Sequence, residues 1–298
     1  MLELNQPETS DREISAIKIS LCICTMNRPD ELSKCLRSVF ESTELPDEII
    51  VSDDSLNGKP TQTVTSEYST VIYQEGPHRG LGPNRNACIR RATGTHIIFI
   101  DDDVCVPPDF FTLARQGSAG PDAKRIITGY EMKHVQGKVH KVRPHNADFW
   151  GLQRLPISYG CRAVVINSTI FPRDVFEKAL FDELLRYGSE EIDMAHHATA
   201  LGYQIVYQDN LYVNHYPSPI NREQYQRFVH ASRLYATTKS YWQYDRSIFK
   251  ALAYVVLAPF QLIGSAAKTG NLKNMWGACQ SISTAYSYIF RYFKNSQK

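Results

Sequence analysis

Three consecutive aspartates, Asp101, Asp102 and Asp103, close the apolar run of residues 95–100 (THIIFI). Pleating of an extended chain sends the first and third carboxylates to one side, where they repel unless a positive charge sits between them. Hard oxygen donors of this kind suit Mg2+ or Mn2+, which takes one or two protein carboxylates together with water and substrate phosphates. The competing reading is a solvated turn in which one Asp caps the helix after Pro107 and Pro108. The strand-end position favours a metal and diphosphate site, with Asp101 and Asp103 as metal ligands and Asp101 and Asp102 also facing the nucleotide.

A second acidic group, Ser189, Glu190, Glu191 and Asp193, opens a helical pattern through His196, His197 and Leu201 to Gly202. At about 100° per residue, Glu190, Asp193 and His197 share a face and Glu191 is turned away, so the glutamates need separate roles. Either is a candidate general base, and such carboxylates are equally ordinary complements of a helix dipole with Ser189 as cap. The functional reading requires this helix tip to face the three aspartates. His215 follows a strand-like stretch and reads as a further metal ligand or as a surface histidine.

The remaining candidates also lie where apolar runs end. Thr25, Asn27 and Arg28 follow the run at 17–24, and Asp53 and Asp54 end the run at 48–53. An acidic residue at Asp53 suits hydrogen bonds from a base or ribose, or an Asx-turn. Among Arg79, Arg85, Arg90 and Arg91, one near the start of the helical segment 80–92 is placed for a base or phosphate. Arg90 and Arg91 read as a solvated face.

The elements that must hold these residues are legible as alternation. Apolar runs at 17–24, 48–53, 70–74 and 95–100 are separated by helical patterns at 30–42, after Pro60, and at 80–92. This predicts right-handed βαβ units and a mainly parallel sheet with helices on both faces, an α/β fold of the Rossmann-like kind, which binds ligands outside the strand carboxyl ends. Further strands are expected at 124–130, 161–166 and 204–207. The organisation read from the chain is a polar segment at 1–16, a catalytic body at 17–219 ending near Pro217 and Pro219, and a helical extension at 220–298.

With 298 residues, the chain is long enough for a core that needs no disulfides. The net charge of +2 hides an acidic body and a basic tail, since residues 217–298 carry 11 Lys and Arg against 2 Asp and Glu. The seven cysteines form no CxxC pair and read as reduced, mostly buried thiols of a cytosolic protein. Residues 1–16 lack the positive start and apolar stretch of a secretory signal.

In order along the chain, these pieces resemble the family 2 glycosyltransferases, which have the GT-A fold. The matching motifs are CTMNRP at 24–29, EIIVSDD at 48–54, GLGPNRNA at 80–87, IFIDDDV at 98–104 with Pro107 and Pro108, FDE at 181–183, SEEID at 189–193 and VNH at 213–215. The resemblance implies inverting, divalent-metal-assisted transfer of a sugar from a nucleotide diphosphate sugar to an acceptor hydroxyl of a glycan or lipid-linked acceptor. It places Thr25, Asp53 and Arg85 in the nucleotide pocket, makes Asp101 and Asp103 the DxD pair with Asp103 the direct metal ligand, and sets Glu191 where the family's base is usually Asp. His197 stands where the family often has Arg, and Ser189 where it has Gly.

The basic tail interleaves aromatics with charge, and residues 251–260 are apolar up to Pro259. Ile282, Tyr286, Ile289 and Phe293 repeat at helical spacing. Basic and amphipathic together favour a membrane surface over nucleic acid, and ten apolar residues are too few to span ~30 Å of hydrocarbon. Helices lying on the cytoplasmic leaflet are therefore expected; the alternative is packing on the body or in a homodimer. Rival functions are a sugar nucleotidyltransferase, although no glycine-rich basic loop follows residues 17–24, and a noncatalytic nucleotide-sugar-binding membrane scaffold.

Overall fold

The four apolar runs become the strands β1 (Ile19–Thr25), β2 (Glu48–Asp53), β3 (Val71–Glu75) and β4 (His96–Asp101), parallel and adjacent in the order β3-β2-β1-β4. All seven residues of β1 are buried, so the strand reads as a continuous apolar run instead of an alternating one. The crossovers are α1 (Pro29–Phe40), α2 (Lys59–Ser66) and α3 (Leu81–Arg91). Pro29 presets the first turn of α1, with Asp30 and Glu31 complementing its dipole. Leu32, Leu36 and Val39 of α1 enter the core on one sheet face, and Cys88 and Ile89 of α3 enter the core on the other. The register sets Thr25 beside Asp53 and Cys24 beside Asp101, so three strands end level at one edge.

This computed structural model describes residues 14, 16–120, 124–158, 160–217 and 222–295. Most of the polar segment expected at 1–16, and the Pro219 side of the expected boundary, lie outside the described residues.

Beyond β4 the sheet becomes mixed. Its later members are β5 (Val104–Cys105), β6 (Arg125–Val135) after helix α4 (Phe110–Ser118), β7 (Lys138–Val142), β10 (Thr169–Pro172) and β11 (Gln204–His215); β8 (Asn146–Ala147) and β9 (Gln153–Leu155) pair apart from it. β10 runs antiparallel between β4 and β6, and β11 runs parallel to β6. At the far edge β5 pairs antiparallel with β11, matching His215 to Val104. That pairing returns a residue from late in the chain to the aspartate triplet.

Two strand expectations change. Residues 161–166 form no ladder beyond a single bridge from Cys161 to Ile205. A turn at Ile166–Ser168 precedes the true strand, because Thr169 Oγ1 donates to the Val165 carbonyl at 2.6 Å and the Asn167 amide is drawn to Asp101, local bonds that compete with extension. The strand expected at 204–207 continues to His215 past an irregularity between Tyr207 and Tyr212. All seven cysteines are free, and Cys22, Cys24, Cys35 and Cys88 are buried.

Helix α5 (Glu190–Ala200) meets the C-terminal helices α6 (Arg222–Lys239), α7 (Ile248–Ala267) and α8 (Leu272–Asn295). Leu185 of the body packs with Ala231, Leu234, Tyr235, Tyr254, Ala258, Ala285 and Tyr288, so part of the basic tail is core. Lys239 is its anchor: Nζ donates to Asp182 at 2.6 Å and to Asp193 of α5 at 2.9 Å. Tyr235 and Tyr244 hydroxyls add bonds to the same two carboxylates. Burial raises the Asp193 pKa despite Lys239, whereas at Asp182 Lys239, Tyr235 and the Leu184 N–H overcome burial and lower it.

Pro259 does not end α7, which runs on for 20 residues and is long and apolar enough to cross a membrane. The carbonyl of Val255, which loses its partner because proline has no N–H, accepts a hydrogen bond from the Tyr286 hydroxyl at 2.9 Å. The ten-residue apolar run read from the sequence is therefore half of one helix. Lys239→Met should cost about 3–5 kcal/mol, because it leaves two buried carboxylates without their cation. Urea unfolding measures this, and an unchanged midpoint would show that the contact between body and extension is not held by this lysine.

Candidate active site

At the level edge of the sheet a cleft of about 700 Å³ is lined by Thr25, Met26, Arg28, Asp54, Asp101, Asp102, Asp103 and His215, with Arg186, Tyr288 and Arg291 at its far side. Its size is that of an ordinary small-molecule site.

The aspartate triplet is not a solvated turn, since Asp102 is 3% exposed and Asp103 9%. β4 ends at Asp101, so the pleat does not carry through to Asp103, and the three carboxylates go separate ways. Asp102 accepts from Thr25 Oγ1 at 2.8 Å and from Arg28 Nη1 at 3.0 Å. The same Arg28 nitrogen reaches Asp103 at 3.2 Å. Burial outweighs these partners and pushes Asp102 up to about 7. Asp101 instead faces Arg85 at 3.3 Å and Asn167 at 3.3 Å, and its backbone N–H donates to Asn167 at 2.8 Å.

Asp103 and His215 form the second arm. His215 Nε2 lies 3.2 Å from Asp103, and its Nδ1 lies 2.9 Å from Glu131, which also accepts from Asn167 at 2.9 Å. Burial opposes the charge on His215, but the bonds to Asp103 and Glu131 prevail and hold it up at about 10. Donors on neighbouring corners of an octahedron with bonds of about 2.1 Å sit about 3.0 Å apart. The spacing of Asp103 and His215 thus fits Mg2+ or Mn2+ once the imidazole gives up its Nε2 proton to make room for the cation, and Glu131 behind the imidazole is the carboxylate that orients a metal-binding histidine. Among the described residues no three or more His, Cys, Asp or Glu side chains make a closed cage. That suits a cation completed by water and substrate phosphates.

The third arm is α5. Arg85 is buried, with Nη2 toward Asp101 and Nη1 3.4 Å from Glu190, and its guanidinium lies 5.4 Å from the Phe181 ring centre. Glu190 Oε2 is buried without a partner. Burial raises the Glu190 pKa against Arg85, and burial followed by the neighbouring Glu190 pushes Glu191 up to about 7. Asp193 and His197 of the same helix turn to the extension, where His197 stacks on Tyr244 at 4.9 Å. Ser189 makes no side-chain cap; its φ of 67° is left-handed and follows Gly188 at 84°, which explains why a glycine suits this position. Asn86 holds the 181–183 segment, accepting from the Phe181 N–H at 3.0 Å and donating to the Phe181 carbonyl at 2.9 Å.

Several expected residues stand back from the cleft. Asp53 is fully buried, accepting from the Ser55 N–H at 2.9 Å and the Tyr73 hydroxyl at 3.3 Å, so the Asx-turn describes its contacts and its neighbour Asp54 lines the cleft. Asp54 takes the N–H groups of His78 at 3.0 Å and Gly80 at 3.2 Å. Asn27 is left-handed and donates its N–H to Ser55. Arg85, Glu190 and Glu191 are not on the lining; Arg85 and Glu190 continue inward from Asp101. Glu131 and Asn167 were missed because each is a single polar residue far along the chain; a carboxylate inside the apolar strand pattern of 125–135 was the available hint.

Parallel strands that end level at one edge, followed by a mixed half-sheet and a helical extension, make the GT-A fold, and solved structures share it. GalNAc-T7 with UDP, GalNAc and Mn2+ superposes with a TM-score of 0.62 over 77% of this chain and 49% of that one, at 16% identity. The mannosyltransferase PcManGT of Pyrobaculum calidifontis with GDP-Man and Mn2+ gives 0.56 over 92% and 88%, at 14% identity. Residues 20–153 match the glycosyl transferase family 2 model. Similar curated proteins are the uncharacterized glycosyltransferase YwdF of Bacillus subtilis (strain 168), 27% identical over 56% of this chain, and the succinoglycan biosynthesis protein ExoM of Rhizobium meliloti (strain 1021), 23% identical over 69%. The matches span 61% of YwdF and 69% of ExoM.

Arg85→Gln should cost about 3–5 kcal/mol at pH 7, because Asp101 and Glu190 lose their shared cation. The carboxylates left unpaired would have pKa values raised above those of the unfolded chain, so the penalty grows as pH rises through them and shrinks in acid. Urea unfolding at pH 5 and pH 7 checks this; equal penalties would show that the bridge does not balance charge.

Proposed function

We propose that the chain is an inverting, divalent-metal-dependent glycosyltransferase that moves a sugar from a nucleotide diphosphate sugar to a hydroxyl of a glycan or lipid-linked acceptor. The observation that carries this reading is the chain of contacts from His215 and Asp103, through Arg28 to Asp102, and from Asp101 through Arg85 to Glu190. It joins a cation site to a candidate base across one sheet edge. YwdF and ExoM are named as an uncharacterized glycosyltransferase and a succinoglycan biosynthesis protein, and both solved neighbours hold nucleotides or nucleotide sugars with Mn2+, which supports the donor class.

Asp103 and His215 would hold Mg2+ or Mn2+, with Asp101 behind them, and the cation would supply Lewis-acid stabilisation of the leaving diphosphate. Arg28 keeps Asp102 and Asp103 from repelling and leaves a positive edge toward the phosphates. Thr25 fixes Asp102, and Arg85 fixes Asp101 against α5. Glu191, raised to about 7 by burial and by Glu190, is suited to take the acceptor proton near neutral pH. A single displacement from the opposite face inverts the anomeric centre. Glu190, paired with Arg85, keeps that proton acceptor polarised.

The outer face of α7 supports attachment at a cytoplasmic membrane surface. Phe249 is 89% exposed and Phe260 70%, with Leu252 and Val256 between them on the same stripe, while Ala251, Tyr254, Ala258 and Leu262 face inward. Lys250 and Lys268 flank the stripe, a pattern that suits anionic lipid.

Because Glu191 must be ionised to accept a proton, turnover should rise with pH through about 7 and level off above it. Glu191→Gln should lower kcat by about 10²–10⁴ with donor affinity kept. A panel of nucleotide sugars read by metal-dependent thermal stabilisation identifies the donor. A wild-type rate in Glu191→Gln, or no stabilisation by any donor with Mn2+ or Mg2+, would overturn this reading.

A further inference from the structure

The far wall of the cleft carries charge that the donor reading does not use. Arg186, which precedes α5, and Arg291 of α8 line this wall, Arg227 of α6 lines the adjoining cavity, and all three act electrostatically on Tyr288. Arg186 and Arg227 both lie over the Phe228 ring, at 5.7 and 4.5 Å from its centre. Among the described residues none of the three is held in an ion pair; the nearby acids are taken, Glu183 by Arg79 at 2.9 Å and Asp182 by Lys239. Exposed guanidinium groups offered from three elements are suited to charge-assisted hydrogen bonds with one anion.

Tyr288 is the second, independent observation. Its ring is 6% exposed, yet its hydroxyl is buried without any hydrogen-bond partner while the residue lines the cleft. A buried hydroxyl with no partner costs about 1–3 kcal/mol, which a bound acceptor oxygen would recover. Burial raises the phenol pKa and the three arginines partly offset it, so the hydroxyl stays a donor at neutral pH.

The same wall opens away from the donor side. Tyr225 and Phe228 line both the cleft and a second cavity of about 1230 Å³ between α6, the end of α7 and α8. Leu262 and Trp276 face that cavity, and Trp276 is 67% exposed.

We propose that Arg186, Arg227, Arg291 and the Tyr288 hydroxyl form a subsite for the phosphate of a lipid-borne acceptor, whose chain leaves through the cavity between α6, α7 and α8. The subsite rests on the transferase reading, which it deepens by naming the acceptor class: a phosphate ester on a lipid instead of a neutral glycan. The phosphate would sit on the wall opposite the aspartates, so the acceptor enters from the membrane side while the nucleotide occupies the sheet edge. No covalent step at the phosphate is involved.

The test uses the full chain and phosphatidylcholine vesicles carrying either phosphatidic acid, a phosphomonoester lipid, or phosphatidylglycerol at equal surface charge. Wild type should favour phosphatidic acid by about tenfold, the scale of one or two charge-assisted hydrogen bonds. Arg227→Gln/Arg291→Gln and Tyr288→Phe should each reduce that preference to about twofold or less, whereas Arg90→Gln/Arg91→Gln, which removes the same charge from α3, should keep it. Equal binding of the two vesicles by wild type, or equal loss of preference in the α3 variant, would overturn the subsite and leave only surface electrostatics. Soluble phenyl phosphate distinguishes the sources: binding as tight as to the vesicles contradicts a lipid acceptor, and binding weaker by about tenfold or more supports it. Thermal stabilisation by nucleotide sugar and Mn2+ is followed in the same variants. Donor binding without lipid preference sinks the subsite alone, and lipid preference without donor binding sinks the transferase reading.

Discussion

One buried guanidinium decides where the two acidic groups can stand. Asp101 and Glu190 belong to elements nearly ninety residues apart, and without a cation between them their approach to one point would be repulsive. Arg85, fixed on α3 and backed by the Phe181 ring, lets both approach one point. Its charge is not free to leave, because the side chain is 2% exposed. The rest of the edge is arranged around that constraint: Asp102 and Asp103 are satisfied separately by Arg28, and His215 is brought in by the pairing of β11 with β5.

The extension is part of the same arrangement. Lys239 ties α6 to Asp193, one turn along α5 from Glu190, so the helix that carries the candidate base is clamped between the sheet and the tail. α7 and α8 close over this clamp with one apolar face inward and another outward. A tail that packs on the body and also presents an apolar stripe unites two readings that the sequence sets against each other.

The first half of the fold was legible because β1, β2 and β4 are buried on both faces, and strands of that kind read as unbroken runs of Ile, Val, Leu and Cys. Their ends located Thr25, Arg28 and Asp101–Asp103 directly. The second half was less legible. Residues 161–166 have the composition of a strand, but the vacant place beside β4 goes to Thr169–Pro172, a choice made by Asn167 reaching across 66 positions to Asp101. Lys239 carried no mark in a tail of scattered basic residues, yet it is 9% exposed and meets two carboxylates. Glu131 illustrates the same limit: a charge that works from the interior has no local pattern, because its partners are supplied by the fold. Asp53 shows the converse, a residue at the expected strand end whose carboxylate is consumed by its own loop.

The most direct measurement is a crystal structure of the chain soaked with a nucleotide diphosphate sugar and Mn2+, read by the anomalous scattering of manganese. The account requires a single strong peak within coordination distance of both Asp103 and His215, with the sugar lying toward Glu191. A peak held by other residues, or a donor bound away from the strand ends with the aspartates still facing only Arg28 and Arg85, would contradict it.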